Sequence, residues 1–230
     1  MKKAVILLSG GIDSTTCLAI AKHRGYQSHA LSFNYGQRHN AELDAAKRIA
    51  KREKCHQHQI IDISIGNFGG SALVDTNQNI PAYSAIRKDI PTTYVPARNT
   101  VFLSIALGYA ETISATAIFC GICTIDYSNY PDCRPEYLSA FNKMAHLATA
   151  VGLKQQPIQV YAPLLYLTKA ETITLGQTLG VDYTTTVSCY AATSDGLACG
   201  QCDSCGIRRE AFKQAGINDP TRYVISNNDC

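Results

Sequence analysis

A short apolar run that stops at Ser9-Gly10-Gly11 constrains the fold of this chain more than any other feature. Residues 4–8 are Ala, Val, Ile, Leu and Leu, which is typical of a parallel strand buried on both faces. A helical pattern starts directly after the glycines. Because glycine lacks a Cβ, the backbone can turn sharply there and approach a ligand closely. The sequence therefore predicts a strand, a tight loop and a helix in succession.

Similar short apolar runs alternate with longer amphipathic stretches along most of the chain. We expect strands at residues 4–8, 29–33, 57–63, 116–120 and 158–161, and helices at residues 13–23, 40–54, 99–114, 135–151 and 168–179. This alternation predicts an α/β fold with a doubly wound, mostly parallel sheet. Residues 64–96 lose the periodicity and contain many glycines and prolines, which indicates a long functional loop.

The loop between the first strand and the first helix is a candidate anion site. The first N–H groups of a helix have no partner within the helix and attract phosphate. The segment lacks the Gly-Lys-Ser/Thr ending of a P-loop and the third glycine of a dinucleotide-binding motif. Asp13 either holds magnesium or caps the helix, and the alternative for the whole segment is a plain turn. The predicted nucleotide contacts are Leu8, Ser9, Gly10, Gly11, Ile12, Asp13, Ser14, Thr15 and Thr16.

Four of the ten cysteines form a cluster with the spacing C-x9-C-x2-C-x2-C. They are Cys189, Cys199, Cys202 and Cys205. Four thiolates with no open position predict a structural zinc site. An iron–sulfur cluster and four free buried thiols are the alternatives. The other six cysteines show no ligand spacing, although Cys133, in a polar loop, is also a candidate reactive thiol.

The cysteine cluster also divides the chain. We expect a nucleotide-binding and catalytic domain at residues 1–184 and a small zinc-binding region packed on it at residues 185–230. A length of 230 residues is enough for one well-packed domain with a small appendage.

Charge and hydropathy exclude several classes of function. The net charge of +3 is mild and argues against a dedicated nucleic-acid binder. No apolar run reaches the ~18 residues of a membrane span. The apolar stretch near the N-terminus ends too early for a secretory signal, so we expect a cytoplasmic protein, in which ten cysteines would not form a disulfide framework.

Five segments together carry a resemblance to a known family. The loop at residues 9–14 resembles the SGGxDS loop of the PP-loop ATP pyrophosphatases. The other segments are residues 33–39 (FNYGQRH), 94–100 (YVPARNT), 126–136 (DYSNYPDCRPE) and 198–205 (ACGQCDSC). With the loop they closely resemble the 7-cyano-7-deazaguanine synthase family, from about residue 3 to residue 212. Asn129 stands where that family is expected to have glycine.

The resemblance implies an adenine nucleotide alpha hydrolase-like fold and an ATP-dependent carbon–nitrogen ligase of queuosine biosynthesis. Its substrates would be 7-carboxy-7-deazaguanine, ammonia and ATP with Mg²⁺, and it would contain a structural Zn²⁺ and form a homodimer. Neither nucleic acid nor a membrane is an expected partner. No glutaminase domain fits in the available length, so ammonia would arrive free or from another protein.

Three residues are predicted to carry the chemistry: Asp13, Lys169 and Arg98. Adenylation requires positive charge near the transferred phosphoryl group. Lys169 resembles a phosphate-binding lysine of related enzymes, and the alternative is a solvated lysine on a helix surface. Arg98 is predicted to clamp the substrate carboxylate with two hydrogen bonds, and the alternative is an arginine that anchors its loop.

Further residues are predicted to bind substrate. Asp126, Asp132 and Arg134 are candidates to recognise the deazaguanine ring, since carboxylates accept well from its N–H edge, but the same residues are common in turns. Tyr35 and Gln37 follow the second strand, where adenine or ribose would lie, or belong to a loop that leads into a helix.

Two other functions remain open at this stage. A PP-loop tRNA-thiolating enzyme also adenylates a base and uses cysteine, although such proteins usually carry an RNA-binding extension. A zinc-ribbon module that only binds nucleotide is the alternative from outside the enzymes.

Overall fold

The computed structural model describes residues 1–84, 89–125 and 130–224. Its centre is a five-stranded sheet in the order β3-β2-β1-β4-β5, in which every pair of neighbours is parallel. The strands are β1 Lys3–Leu7, β2 Gln27–Asn34, β3 Gln57–Asp62, β4 Ala117–Phe119 and β5 Gln159–Tyr161. The predicted fold class and the five predicted strands are confirmed.

Seven α-helices surround the sheet within the described ranges. They are α1 Ile12–His23, α2 Ala41–Arg52, α3 Arg98–Thr112, α4 Pro135–Ala148, α5 Ala150–Leu153, α6 Lys169–Thr178 and α7 Asp203–Gln214. Helix α7 was not predicted. None of the helices in these ranges combines the length and the apolar character that a membrane span requires.

The single helix predicted at residues 135–151 is wrong in one respect, because it breaks into α4 and α5 at Thr149. This residue is extended (φ −120°, ψ 148°). Its hydroxyl donates to the Ala145 carbonyl oxygen at 2.9 Å and accepts from the Gly152 N–H at 3.1 Å. One threonine side chain therefore ends α4 and caps α5.

The core has two layers, one on each face of the sheet. Val5 and Ile118 pack with residues of α3 and α4 on one face. Ile6 and Phe119 pack with residues of α1 and α2 on the other. Burial on both faces explains why β1, from Ala4 onward, and β4 are continuous apolar runs rather than alternating ones.

The strand order reverses at β1, which places the loop after it at the point where such sheets bind ligands. The loop after β4 reaches the same place, since a Cβ on Gly121 would lie 2.9 Å from the Asp13 Cβ. The stretch between β3 and α3 is largely irregular in its described residues, with a short 3-10 helix at Ile65–Phe68. This agrees with the predicted long loop.

The C-terminal segment packs back on the first helix. Phe212 of α7 contacts a cluster that includes Ile12 of α1, Ile173 of α6 and Tyr183. The Val187 N–H donates to the Gly10 carbonyl oxygen at 2.9 Å, so this segment covers the loop after β1. The candidate anion site thus lies between the N-terminal and C-terminal parts of the sequence.

Gly10 is predicted to tolerate no side chain. It has a φ of +90°, and a Cβ there would lie 2.4 Å from the Glu42 carbonyl oxygen. Gly25 provides a matched control, because its φ is +78° and nothing lies within 4 Å of the added Cβ. Gly25→Ala should cost about 1–2 kcal/mol of unfolding free energy for the left-handed backbone alone. Gly10→Ala should cost about 1–3 kcal/mol more because of the added overlap. Urea unfolding measures both, and equal midpoint shifts would contradict this reading of the loop.

Candidate active site

The loop after β1 presents N–H groups at the start of α1. The Gly11 N–H donates to the Ser9 hydroxyl at 3.3 Å, and the Ile12 N–H donates to the Ser188 hydroxyl at 3.4 Å. Within the described chain the N–H groups of Asp13 and Ser14 have no partner. Two unpaired donors at the positive end of a helix form a local anion site.

The hydroxyl groups of this segment largely bond to its own backbone. Ser14 and Thr15 donate to the Gly11 carbonyl oxygen at 3.1 and 2.8 Å. Thr16 donates to the Ile12 carbonyl oxygen at 2.9 Å and lies 2.9 Å from the Tyr183 hydroxyl. Thr15 and Thr16 are therefore directed into the helix rather than toward a ligand.

Lys169 lies opposite the loop in a buried ion pair. Its Nζ contacts both carboxylate oxygens of Asp13, at 2.6 and 2.7 Å, and its side chain is only 6% exposed. The predicted capping box of Thr168 and Glu171 is confirmed and places Lys169 in the first turn of α6. The alternative of a solvated surface lysine is therefore excluded.

A cavity of about 250 Å³ lies above the carboxyl ends of the strands and reaches this ion pair. It brings together most of the residues predicted for the site. The predicted residues that line it are Leu8, Ser9, Gly11, Ile12, Asp13, Ser14, Tyr35, Gln37, Arg98 and Lys169. Gly10, Thr15 and Thr16 do not line it, because their backbone or hydroxyl groups pack inside the fold.

Arg98 begins α3 and faces the same cavity. It donates to the Tyr35 hydroxyl at 3.2 Å, and its guanidinium lies 5.5 Å from the Tyr35 ring centroid and 5.9 Å from that of Phe102. Burial raises the pKa of Tyr35, so the phenol stays protonated. No described carboxylate forms an ion pair with Arg98. An aromatic cradle thus orients a cation that remains available for an anion.

Gln37 and Arg38 stabilise their own surroundings. The Gln37 side chain accepts from the Tyr35 N–H at 2.8 Å and donates to the Phe33 carbonyl oxygen at 3.3 Å. Arg38 donates to the carbonyl oxygens of Asp75 and Gln78, so it anchors the long irregular stretch beside the cavity.

The two predicted ring-binding residues that the structure describes, Asp132 and Arg134, do not line the cavity. The Asp132 carboxylate accepts from the Asn99 N–H at 3.0 Å and so caps the start of α3. Arg134 is exposed and donates to the Pro131 carbonyl oxygen at 3.1 Å. Asp126 lies outside the described residues. For Asp132 and Arg134 the contacts support the alternative of turn and capping chemistry.

The cavity is also lined by polar residues that were not predicted for the site, among them Glu42, His39 and Ser188. Glu42 lies in the first turn of α2, and burial raises the pKa of its carboxyl to about 7. The Nε2 atom of His39 lies 2.9 Å from the Cys189 carbonyl oxygen. Because a carbonyl oxygen only accepts, Nε2 carries the proton and donates it. Ser188 reaches back to α1 as described above. Glu42 was not predicted because a glutamate in the first turn of a helix is common and does not by itself indicate a functional site.

The four clustered cysteines fit a zinc ion. The Sγ atoms are 3.9 Å apart for Cys189–Cys202, 3.9 Å for Cys199–Cys205 and 3.6 Å for Cys202–Cys205, and all four lie within 4.8 Å of one another. Zn–S bonds of about 2.3 Å in a tetrahedron place neighbouring sulfurs about 3.8 Å apart. The N–H groups of Ala191 and Cys199 also point at the Cys189 sulfur, at 3.3 and 3.2 Å, as expected for a thiolate. The donor set and its spacing thus suit a closed tetrahedral metal site.

Cys133 is buried, and burial raises the pKa of its thiol to about 12. It is therefore an unreactive core thiol rather than a nucleophile. Of the other five cysteines outside the cluster, Cys17, Cys120 and Cys123 are buried as well, Cys55 is partly buried, and Cys230 lies outside the described residues.

Residues 189–214 contain the four clustered cysteines and α7, and we call them the cysteine lobe. Arg208 fixes this lobe to the core. Its guanidinium donates to the Asp219 carboxylate at 3.0 Å, the Thr186 hydroxyl at 2.9 Å and the Tyr183 carbonyl oxygen at 3.2 Å. Burial alone would raise the pKa of Asp219, but the charge of Arg208 holds it below its usual value. One arginine therefore ties α7 to the segment that covers the loop after β1.

The family model described as "Queuosine biosynthesis protein QueC" matches residues 3–216 of the sequence. The chain belongs to this family. The match covers the loop after β1, every strand of the sheet and the cysteine cluster.

Relatives of this family are similar over nearly their whole length. The chain is 57% identical over 224 residues to a 7-cyano-7-deazaguanine synthase of Coxiella burnetii, which covers 97% of this chain and 99% of the relative. A synthase of the same name from Legionella pneumophila is 57% identical and covers 97% of each chain. One from Saccharophagus degradans is 56% identical, with 97% and 98% covered. These relatives favour the synthase over the tRNA-thiolating alternative.

Two solved structures share the fold at low identity. A 4-thiouridine synthetase–RNA complex with bound ATP has a TM-score of 0.55 and 18% identity, over 94% of this chain and 50% of that one. The NMN synthetase of Francisella tularensis has a TM-score of 0.50 and 17% identity, over 98% and 79%. They support the predicted class of fold.

Arg208 and the neighbouring Arg209 provide a matched pair for testing how the lobe is held. Arg208→Gln should destabilise the chain by about 3–5 kcal/mol, because it leaves Asp219 buried without its partner. Arg209 is exposed, donates to the Gly200 carbonyl oxygen and lies 5.3 Å from the Tyr223 ring centroid. Arg209→Gln should therefore cost about 1 kcal/mol or less. Chemical unfolding distinguishes them, and similar losses for both would refute the role of Arg208.

Proposed function

We propose that this chain converts 7-carboxy-7-deazaguanine and ammonia to 7-cyano-7-deazaguanine at the expense of ATP, in queuosine biosynthesis. The observation that carries the proposal is the anion site at the start of α1, with the Lys169–Asp13 pair at its mouth, in a chain of the QueC family. That site is suited to a polyphosphate, and the cavity beside it has room for a small planar substrate.

The chemistry explains why ATP is needed. A carboxylate is a poor electrophile, since its leaving group would be oxide. Transfer of AMP to a carboxylate oxygen creates a good leaving group, and ammonia then displaces AMP to give the amide. Transfer of a second AMP to the amide oxygen allows its loss with formation of the nitrile. Each nitrile therefore requires two ATP and releases two AMP and two pyrophosphate.

The residues of the cavity suit these steps. The free N–H groups of Asp13 and Ser14 would bind the β- and γ-phosphates, and the Asp13 carboxylate would hold Mg²⁺, which prefers oxygen ligands. Lys169 would stabilise the charge that develops on the transferred phosphoryl group. Arg98, held by Tyr35 and Phe102, would clamp the substrate carboxylate.

The cysteine cluster would hold a structural Zn²⁺ in a region at residues 185–230, packed on a catalytic domain at residues 1–184. Bound zinc would supply stability and no chemistry, because four thiolates leave no open position. The proposal includes a homodimer in the cytoplasm that acts on small molecules without nucleic acid.

Product analysis tests the proposed function directly. Mass spectrometry of a reaction with 7-carboxy-7-deazaguanine, ammonium and ATP should show the nitrile, with about two AMP and two pyrophosphate formed per nitrile. Release of ADP and phosphate instead would rule out adenylation. Retention of labelled tRNA at moderate salt, with no nitrile formed, would favour the tRNA-thiolating enzyme.

Lys169→Met tests the role of the buried cation. Removal of a charge that stabilises the transition state typically costs about 100-fold or more in rate. We expect a loss of that size in acid-dependent release of pyrophosphate. Lys47 is the matched control, because its exposed side chain pairs with Asp44 at 2.8 Å on the surface of α2. Lys47→Met should leave the rate within about twofold, and equal effects of the two variants would argue against a role for Lys169.

A further inference from the structure

Two carboxylates line the cavity among the residues that the structure describes, and they are in different states. The Asp13 carboxylate is bound at both oxygens by Lys169. The Glu42 side chain forms no hydrogen bond or ion pair with any residue in the described ranges, although it lines the same cavity. A partly buried carboxyl group without a partner is uncommon, because desolvation of the charged form is costly. Its presence there needs an explanation.

The backbone of Glu42 lies beside the loop after β1. Helix α2 packs so closely on that loop that a Cβ on Gly10 would meet the Glu42 carbonyl oxygen at 2.4 Å. The charge of Arg98 acts on the Glu42 carboxyl group, and both residues line the cavity. The carboxyl group therefore lies at the end of the cavity where Arg98 would hold the substrate carboxylate, whose carbon is the one that reacts. The predicted ring-binding residues belong to other parts of the chain, around residues 126–134.

Charged and titratable groups face Glu42 from three sides. Arg98 approaches from α3, Tyr35 from the loop after β2, and Cys202 from the cysteine lobe. Burial raises the pKa of Glu42 to about 7, while Arg98 lowers it and Cys202 adds a smaller increase. A carboxyl group in this state can exchange protons near neutral pH.

The proposed reaction requires a proton acceptor near the substrate nitrogen. Ammonia brings three protons on its nitrogen, and the nitrile retains none. One proton leaves when nitrogen attacks the acyl carbon, the C–N bond forms and the C–O bond to AMP breaks. A second leaves when the adenylated amide becomes a neutral imidate. The third leaves when the remaining C–O bond breaks and the triple bond forms. No oxidant is needed, because AMP departs with both electrons of each C–O bond.

The other basic groups of the cavity are less suited to accept these protons. Lys169 is a cation bound to Asp13. His39 has Nε2 at the Cys189 carbonyl oxygen, and burial of the ring lowers its pKa, which makes it a weaker base. Glu42 is the acceptor among the described lining residues that has both an open lone pair and a place near the reacting carbon.

We propose that the Glu42 carboxylate is a catalytic proton acceptor, which takes protons from the substrate nitrogen during amide and nitrile formation. This rests on the proposed function. The protonated carboxyl returns its proton to water between steps, so one group serves all three transfers.

The test uses Glu42→Gln with the isolated amide, 7-carboxamido-7-deazaguanine, and ATP. This half-reaction needs no ammonia, so the ammonium equilibrium does not distort its pH profile. In the wild type, kcat for nitrile formation should fall as pH falls below about 7, because the base becomes protonated. Glu42→Gln should lower kcat about 100-fold or more and abolish that acidic limb, with KM for the amide changed less than about threefold. Pyrophosphate–ATP exchange dependent on the carboxylic acid should persist, since adenylation needs no such base.

Asp44→Asn is the control, because Asp44 is an exposed carboxylate of the same helical turn. It should leave kcat, KM and the pH profile unchanged. Glu42→Asp keeps a carboxylate and should keep the acidic limb at a lower kcat, and it carries the test if the glutamine variant does not fold.

Two results would overturn the proposal. One is a Glu42→Gln enzyme with kcat within about threefold of wild type and an intact acidic limb. The other is a rise in KM alone, which would make Glu42 a residue that recognises the ring. If the wild type forms no nitrile at all, the proposed function fails instead, and the two failures are thus distinguishable.

Discussion

The ion pair between Lys169 and Asp13 fixes the geometry on which the rest of the site depends. It joins the first turn of α6 to the first turn of α1, and so it sets the distance between the loops that follow β1 and β5. Breaking such a buried pair from one side typically costs about 3–5 kcal/mol, which makes the arrangement hard to deform. The pair also neutralises the lysine while the cavity holds no anion. If ATP binds as proposed, its polyphosphate would replace the Asp13 carboxylate as the partner of Lys169, and the accompanying Mg²⁺ would compensate the charge of Asp13.

Around this pair the cavity wall is built from parts that are far apart in the sequence. Arg98 comes from α3 and Glu42 from α2, and the segment near Ser188 closes the side. Two of the cavity residues are held by neighbours with no proposed chemical role: Tyr35 holds Arg98, and Gln37 holds Tyr35. Tyr35 and Gln37 therefore line the cavity although their hydrogen bonds are to other protein groups.

The sequence predicted those features whose signals are local. The apolar runs, the glycine loop, the capping box at Thr168 and the cysteine spacing each lie within a few residues, and the structure contains all of them. Helix α7 was missed because it starts at a cluster of cysteines and because several of its buried residues, such as Asp203, Ser204 and Arg208, are polar and give no apolar periodicity. The break at Thr149 was missed because a threonine fits a helix equally well until its hydroxyl finds two backbone partners.

The sequence was also insufficient to assign the chemical roles of some candidate site residues. A carboxylate that caps a helix and one that reads a purine-like edge both accept N–H donors, so composition alone does not separate them. The structure distinguishes them, because the Asp132 carboxylate accepts a hydrogen bond from the Asn99 N–H at the start of α3. Glu42 was missed for a different reason. The charges that act on it belong to Arg98 in α3 and Cys202 in the cysteine lobe, which are far from residue 42 in the sequence.

The contact between Ser188 and Ile12 has a consequence for the order in which the chain is made. The two residues are 176 positions apart, and Ser188 completes the wall of the loop that begins at residue 9. At roughly 5–20 residues per second, a ribosome needs roughly 10–35 s to add that stretch. The nascent chain therefore exposes the loop after β1 until Ser188 has been added. The wall around this loop is complete only when the segment near Ser188 has emerged from the ribosome and docked on α1.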